Sequence, residues 1–457
     1  MIAGLKAYPE RRNSGADWLG EVPGHWQVVP LGSLLTIRSE KGRTDLPLLS
    51  VLREKGVVRR SDLAADENHN VMPDDLAAYK VARGGDLVIN KMKAWQGSLG
   101  LAPCDGVVSP AYFVFDLASS NIRFAERMLR SRHYVDQFAR ASDGVRIGQW
   151  DLGIPAMKRI ACVVPPEDEQ AAIVRFLDHA DRRVRRSIAA KQKMIRLLEE
   201  QKAAIIHQAV TRGLNPDAPI KPSGVDWLGD IPAHWEVTRV KDEFQNLNTR
   251  RIPLSATARG EMTERSFDYY GASGVIDRVD DFLFDEDLLL IAEDGANLVL
   301  RNLPLAIIAR GKFWVNNHAH ILRPKRGSLD YLAHYMEGIR YQPWITGAAQ
   351  PKLTMDRLMA IKVAVAPPDE QHAIVAVVAA QTTELRKAIA LARNEVILWN
   401  EYRTRLVADV VTGKLDARAA AAQLDIVDSE EDEPVDGENI EPDNKGFDEA
   451  EADEEFV

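Results

Sequence analysis

The segment SGADWLGEVPGHW at residues 14–26 returns as SGVDWLGDIPAHW at residues 223–235, with nine of thirteen positions identical and a period of 209. An internal repeat of this density fixes the architecture before any single element is assigned. A second pair lies at nearly the same offset. PPEDEQAAIV from Pro165 answers PPDEQHAIV from Pro367, aligning Glu169-Gln170 with Glu370-Gln371. Fainter echoes fall between them. GDLVI from Gly85 matches EDLLL from Glu286, and the polar turn DGVRIGQ from Asp143 matches TGAAQPK from Thr346. The chain is a tandem duplication of units of roughly 200 residues, within the ordinary size range of domains.

Each unit has the same internal order. After the tryptophan-rich block come short apolar runs broken by Gly, Pro, Asn and Asp, such as GDLVINKM and RIACVVPP in the first copy and LLLIAEDG and AHILRPK in the second; these predict strands. Helical stretches are expected between them at 124–140 and 329–341, so both globular parts are α+β. A Pro-Pro pair followed by acids then opens a long helix, since proline suits the first turn and carboxylates the positive end of the dipole. Thr211-Arg212-Gly213 and Thr412-Gly413 close the two helices, glycine being free to adopt the left-handed cap. The expected spans, 169–210 and 370–411, are equal in length.

Inside these helices apolar residues recur at intervals of three and four. The first has Ile173, Leu177, Ala180, Val184, Ile188, Ile195, Leu198 and Ile205, and the second Leu385, Ile389, Ala392, Val396, Trp399, Leu406 and Val410. A long helix with one apolar stripe requires a partner, and the other copy supplies it. The expected result is an antiparallel coiled coil within the chain and a pseudo-twofold arrangement of the two units.

Charge is unevenly distributed. The net charge is -10, but residues 425–457 hold sixteen Asp and Glu against the single Lys445, a local -15, which leaves about +5 on residues 1–424. Such a run cannot bury enough apolar surface to fold, so residues 416–457 are expected to be a disordered acidic tail. The N-terminus lacks an apolar signal core and no stretch is long and apolar enough to span a membrane, so a cytoplasmic protein without membrane attachment is expected.

Common catalytic signatures are missing. There is no GxxxxGK[ST] phosphate loop, GxGxxG, HExxH or GxSxG. Cys104 and Cys162 stand alone and read as packing residues. His318 and His320 face one side of a strand without an adjacent carboxylate or cysteine, so structural polar contacts are expected rather than a metal. The repeated His25 and His234 read as scaffold. No catalytic residue and no metal site is expected on this chain.

Two α+β units, each preceded by D-W-L-G-x-x-P-x-H-W and followed by P-P, E-Q and a long helix, resemble the specificity subunits of Type I restriction-modification systems. INKMKAWQGSLG with VVSPAY in the first unit, and YYGASGVIDRVDDF with NNHAHIL in the second, resemble versions of that family's target recognition domain. The resemblance covers residues 10 to about 415. It implies target recognition domains at 1–165 and 214–366, and spacer helices at 166–213 and 367–415. It also implies a bipartite double-stranded DNA site, one half read by each domain, with the coiled coil setting the gap. The implied partners are two modification subunits that bind S-adenosylmethionine and methylate adenine, and restriction subunits that use ATP and magnesium. This chain itself would bind no cofactor.

Base or phosphate contacts are expected from loops that combine cations, amides and aromatics. In the first unit these are Lys91, Lys93, Trp95, Gln96 and Ser98, with Arg146 and Gln149 in the second polar turn. In the second unit they are Tyr270, Ser273, Arg310, Lys312, Gln350 and Lys352. The alternatives are a non-catalytic DNA-binding subunit of a related methylation-based system, or an interaction scaffold with no DNA role.

Overall fold

A computed structural model describes residues 5–63, 76–144, 150–347 and 350–424. Arg146, Gln149 and the acidic run 425–457 lie outside the described residues. The chain divides into two units, Met1–Ile188 with Leu398–Val457, and Ala189–Ile397. The division cuts both long helices, so each unit holds the start of one helix and the end of the other. Sequence boundaries had set the helices apart as segments of their own. The structure instead makes their ends part of each unit's core.

In the first unit a four-stranded antiparallel sheet has the spatial order Leu35–Ile37, Tyr112–Leu117, Leu87–Asn90, Leu99–Leu101. The central strand reads Leu-Val-Ile-Asn and is buried on both faces, which explains its unbroken apolar run. Helices Ile122–Leu129 and Arg132–Arg140 send Phe124, Met128, Leu129, Tyr134 and Phe138 into the core. The single helix expected over 124–140 is broken at Ser131, whose backbone is extended and whose hydroxyl donates to the Met128 carbonyl.

The second unit repeats this plan strand for strand. Its sheet runs Phe244–Asn246, Ala319–Pro324, Leu288–Ala292, Ala306–Ala309. In each unit a strand after the tryptophan-rich block pairs with the strand before the long helix: Gln27–Pro30 with Ala161–Val164, and Glu236–Arg239 with Lys362–Val365. The copies differ around this frame. The second unit adds a four-stranded sheet in which Phe267–Gly271 lies parallel to Lys312–Val315. Among the described residues the first has the pairs Leu49–Leu52 with Gly56–Arg59, Lys80–Ala82 with Gly106–Val108, and Ser142–Asp143 with Asp151–Leu152.

The long helices are Glu167–Arg212 and Pro368–Val411, 46 and 44 residues, or roughly 70 and 65 Å at 1.5 Å per residue. Within each unit they run antiparallel. In the first, Leu406 and Val410 share a core with Ile173, Leu177 and Ala180, and Arg403 meets Asp181 at 2.5 Å. In the second, Ala209 and Val210 share a core with Ile374 and Val378, while Lys191 meets Glu395 at 2.6 Å and Arg393 meets Glu199 at 2.8 Å. Val184 and Ile389 are buried, and Ile188, Ile195, Leu198, Ile205, Leu385, Val396 and Trp399 are half-buried.

Both helices end on glycines at φ +75°. A Cβ on Gly413 would sit 2.4 Å from the Pro23 ring, so that position tolerates no side chain in addition to its left-handed backbone. The chain continues in ordered packing beyond the expected boundary at residue 416. Arg418–Ala422 is helical, and Ala417 and Ala421 are buried in the first unit's core. Small apolar residues in ARAAAA give this stretch a packing face that the acids after it lack. Among the described residues no helix is long and apolar enough to cross a membrane.

Candidate nucleic-acid interface

In the first unit the candidate loop follows the C-terminal end of the strand Leu87–Asn90. The Asn90 side chain accepts from the Met92 N–H, its carbonyl accepts from Lys93, and a 3-10 turn over Ala94–Gln96 ends on Gly97 at φ +89°. A side chain at Gly97 would also press on Val135. This tight turn decides which side chains are available. Lys93 is exposed and has no ion-pair partner among the described residues, and Gln96 is half-buried. The Trp95 ring packs on Trp150 with centroids 5.2 Å apart, and its indole N–H donates to the Met92 carbonyl. Lys91 is paired with Asp151 at 2.8 Å, which fixes the turn against a later segment. Ser98 is only 3% exposed, so it belongs to the core rather than to a surface that could meet a base. Its place directly before the strand Leu99–Leu101 explains its burial.

The equivalent end of the second unit carries a polar cluster. Glu293, just past the strand Leu288–Ala292, accepts from Arg251 at 2.7 Å and lies 3.2 Å from Lys352 Nζ. Burial raises this carboxyl, and the Arg251 and Lys352 cations more than offset it, leaving the group below its ordinary range. His320 is buried. Its Nε2 bonds the Leu353 carbonyl at 2.7 Å and its Nδ1 meets the Asn248 amide nitrogen at 2.9 Å. Asn248 uses its oxygen to accept from Ile321 N–H, so its nitrogen must donate, Nδ1 must accept and Nε2 must carry the proton. Burial pushes the His320 pKa down, in keeping with this neutral ring.

His318 pairs with Asp294 at 2.9 Å. The sequence placed no carboxylate beside these histidines. The fold brings Glu293 and Asp294 from the neighbouring strand, and the four side chains are spent on ion pairs and backbone contacts. No grouping suited to a metal ion occurs among the described residues.

The second unit's candidates do not all converge. Tyr270 ends a strand whose carbonyl accepts from Asn316, in the loop that leads through His318 to Glu293. Ser273 lies in the following turn, half-buried, and Gln350 is exposed beside Lys352. Arg310 and Lys312 sit elsewhere. Arg310 follows the strand Ala306–Ala309, whose Ala309 pairs with Leu288 at the opposite end from Glu293. Its guanidinium is held by Asp287 at 2.6 Å and Asp330 at 2.7 Å. Lys312 lies over the Phe282 ring at 4.5 Å. These two residues brace the frame. The sequence groups them with the others because both follow a strand, and strand polarity puts Arg310 at the opposite end of the sheet from Glu293.

The repeated histidines join the repeated Glu-Gln pairs. His25 Nε2 lies 2.7 Å from Glu169, and His234 Nε2 lies 2.7 Å from Glu370. The next residues, Gln170 and Gln371, each donate at 2.8 Å to the carbonyl before or within the Pro-Pro approach, Pro165 and Ala366. The two sequence blocks that defined the repeat are thus one structural clamp, locking the strap to the helix start in each unit.

Comparison with known proteins agrees with this architecture. Residues 232–391 match the family model described as Type I restriction modification DNA specificity domain. A Haemophilus influenzae protein named as a type I restriction enzyme specificity subunit is 33% identical over 144 residues, 31% of this chain and 36% of that protein. A Methanocaldococcus jannaschii protein named as the specificity subunit of the type I restriction enzyme MjaX is 21% identical over 452 residues, 91% of this chain and 99% of that one. A chain solved in work on complex assembly and conformational transition of the type I R-M system shares the fold, with a TM-score of 0.59 and 14% identity over 86% of this chain and 99% of that chain. Along most of its length the chain is similar to specificity subunits of Type I restriction-modification systems.

Proposed function

We propose that this chain is the DNA sequence-recognition subunit of a Type I restriction-modification complex. Each unit reads one half of a bipartite duplex site, and the paired helices set the number of base pairs between the halves. The observation that carries this reading is the duplicated sheet. Both units present a polar loop cluster at the same end of the same central strand, Lys93 and Gln96 after Asn90 in one, Lys352 and the adjacent Gln350 beside Glu293 in the other. Rigid elements holding two reading heads require two half-sites at one spacing. Cations would supply phosphate affinity, while amides and hydroxyls reach base edges.

The chemistry then falls to partners. Two modification subunits holding S-adenosylmethionine would methylate adenine, and restriction subunits with ATP and magnesium would translocate and cut. This chain would bind DNA and those subunits and contribute no catalytic group. The test is modified-base sequencing of cells expressing the chain with its modification subunit. A split methylated motif that disappears when the chain is omitted is the expected result. No motif, with the modification subunit shown to be bound, would overturn the reading in favour of a scaffold.

A further inference from the structure

The first long helix carries a cationic face that the repeat does not explain. Arg175, Arg182 and Arg186 project from the side opposite the buried Ile173, Leu177 and Val184, and Arg183 flanks them. Arg175, Arg183 and Arg186 are exposed and Arg182 half-buried, and none of the four has a carboxylate partner among the described residues. The two acids of this stretch are already engaged, Asp178 by Arg123 and Arg127, and Asp181 by Arg185 and Arg403. At the matching positions of the second helix stand Ala376, Thr383, Glu384 and Lys387. A pseudo-twofold molecule using its helices alike against a duplex would carry such a stripe on both.

The acidic run 425–457 is likewise present in a single copy. Its root is fixed in the same unit. Ala417 and Ala421 are buried, Asp416 N–H donates to the Lys6 carbonyl at 2.8 Å, and the Arg418 guanidinium lies over the Tyr8 ring at 5.0 Å and 3.9 Å from Glu169. Glu169 is in the first turn of the arginine-striped helix. From there to Arg186 is roughly 25 Å along the helix, and a 33-residue run extends up to roughly 110 Å. Tethering at this point raises the local concentration of sixteen carboxylates around the four guanidiniums of the stripe.

We propose that the arginine stripe of the first helix is the resting site of the chain's own acidic C-terminal run, which screens it from other polyanions. The contact does not depend on the DNA-recognition reading.

The test uses the full chain with Cys104→Ser, labelled with a fluorescence donor and acceptor at Ala171→Cys, on the same helix face, and Val457→Cys; Cys162 is fully buried and stays unlabelled. High energy transfer at about 0.05 M salt, falling about twofold at about 0.5 M, is expected. The same fall should follow Arg182→Gln, Arg183→Gln and Arg186→Gln together, or replacement of the acids of residues 448–455 by their amides. Transfer that is indifferent to all three overturns the proposal. So does a stripe variant that weakens binding to a duplex lacking any target while its transfer is unchanged, since the stripe would then belong to DNA.

Discussion

His234 Nε2 lies 2.7 Å from Glu370 Oε2, and the same oxygen accepts from the buried Trp235 indole at 3.0 Å. One carboxylate thus holds two consecutive residues of the strap. Glu370→Ala leaves the indole N–H without an acceptor, and an unsatisfied buried donor costs about 1–3 kcal/mol. Urea unfolding of the full chain should show a loss of that size. His234→Ala, at a side chain 52% exposed, should cost less. Equal losses would show that the clamp works through the histidine alone.

The first unit builds the same clamp with different partners, and this predicts an asymmetry. Glu169 is bonded by Tyr8 as well as His25, whereas the Trp26 indole nitrogen has no hydrogen-bond partner among the described residues. Trp26→Phe therefore removes a group that was already unsatisfied, while Trp235→Phe removes a made bond. The second substitution should destabilise the chain more than the first by about 1 kcal/mol, read from paired denaturation curves.

Much of this architecture was legible in the sequence because it depends on local chemistry. The Pro-Pro and glycine signals bracketed the helices to within two residues, since proline and left-handed glycine act on their own backbone. Of the stripe, Ile173, Leu177, Ala180 and Val184 are buried and Ile188, Ile195, Leu198 and Ile205 half-buried, as a 3-4 spacing produces on one helix face. The loop sites were less legible. Glu293 is adjacent to Asp294 in sequence, but its partners Arg251 and Lys352 come from segments far along the chain, and only strand pairing brings them together. Burial of Ser98 and the bracing of Arg310 between Asp287 and Asp330 likewise follow from which end of a strand each occupies, which residue type does not reveal.

Available and occupied cations should separate in DNA binding. Lys93→Ala removes an exposed, unpaired charge, and should weaken binding of the assembled complex across sequences while lowering the slope of log K against log salt by about 1. Arg310→Ala should leave that slope unchanged and reduce stability instead, because its charge is already shared by two carboxylates. A reduced slope for Arg310→Ala would return it to the interface.

Acid should destabilise the second unit through its histidines. Burial lowers the pKa of both His320 and His334 from the usual 6.5. Above 6.5 the folded and unfolded chains both carry neutral rings and no penalty arises. As pH falls through 6.5 the unfolded chain takes up protons that the folded chain refuses, so stability declines until the lowered folded values are passed. The melting temperature should therefore drop between pH 7.5 and 5.5, and His320→Gln should flatten that drop while lowering the value at pH 7.5. An unchanged slope in the variant would place the acid sensitivity elsewhere.

Helix length should control the gap between half-sites. Seven residues inserted into each long helix, preserving the apolar register, add about 10 Å at 1.5 Å per residue, or roughly three base pairs of duplex at 3.4 Å each. The insertions must be matched, because Lys191 with Glu395 and Arg393 with Glu199 tie the helices at fixed positions. A heptad in one helix alone would shift Leu406 and Val410 away from Ile173 and Leu177, or Val210 from Ile374, and disrupt one core. With its modification subunit, the matched variant should direct methylation to the same two half-sites about three base pairs further apart. The single insertion should lose methylation and stability together. A matched variant that keeps the original gap would mean that the modification subunits, rather than the paired helices, measure the distance.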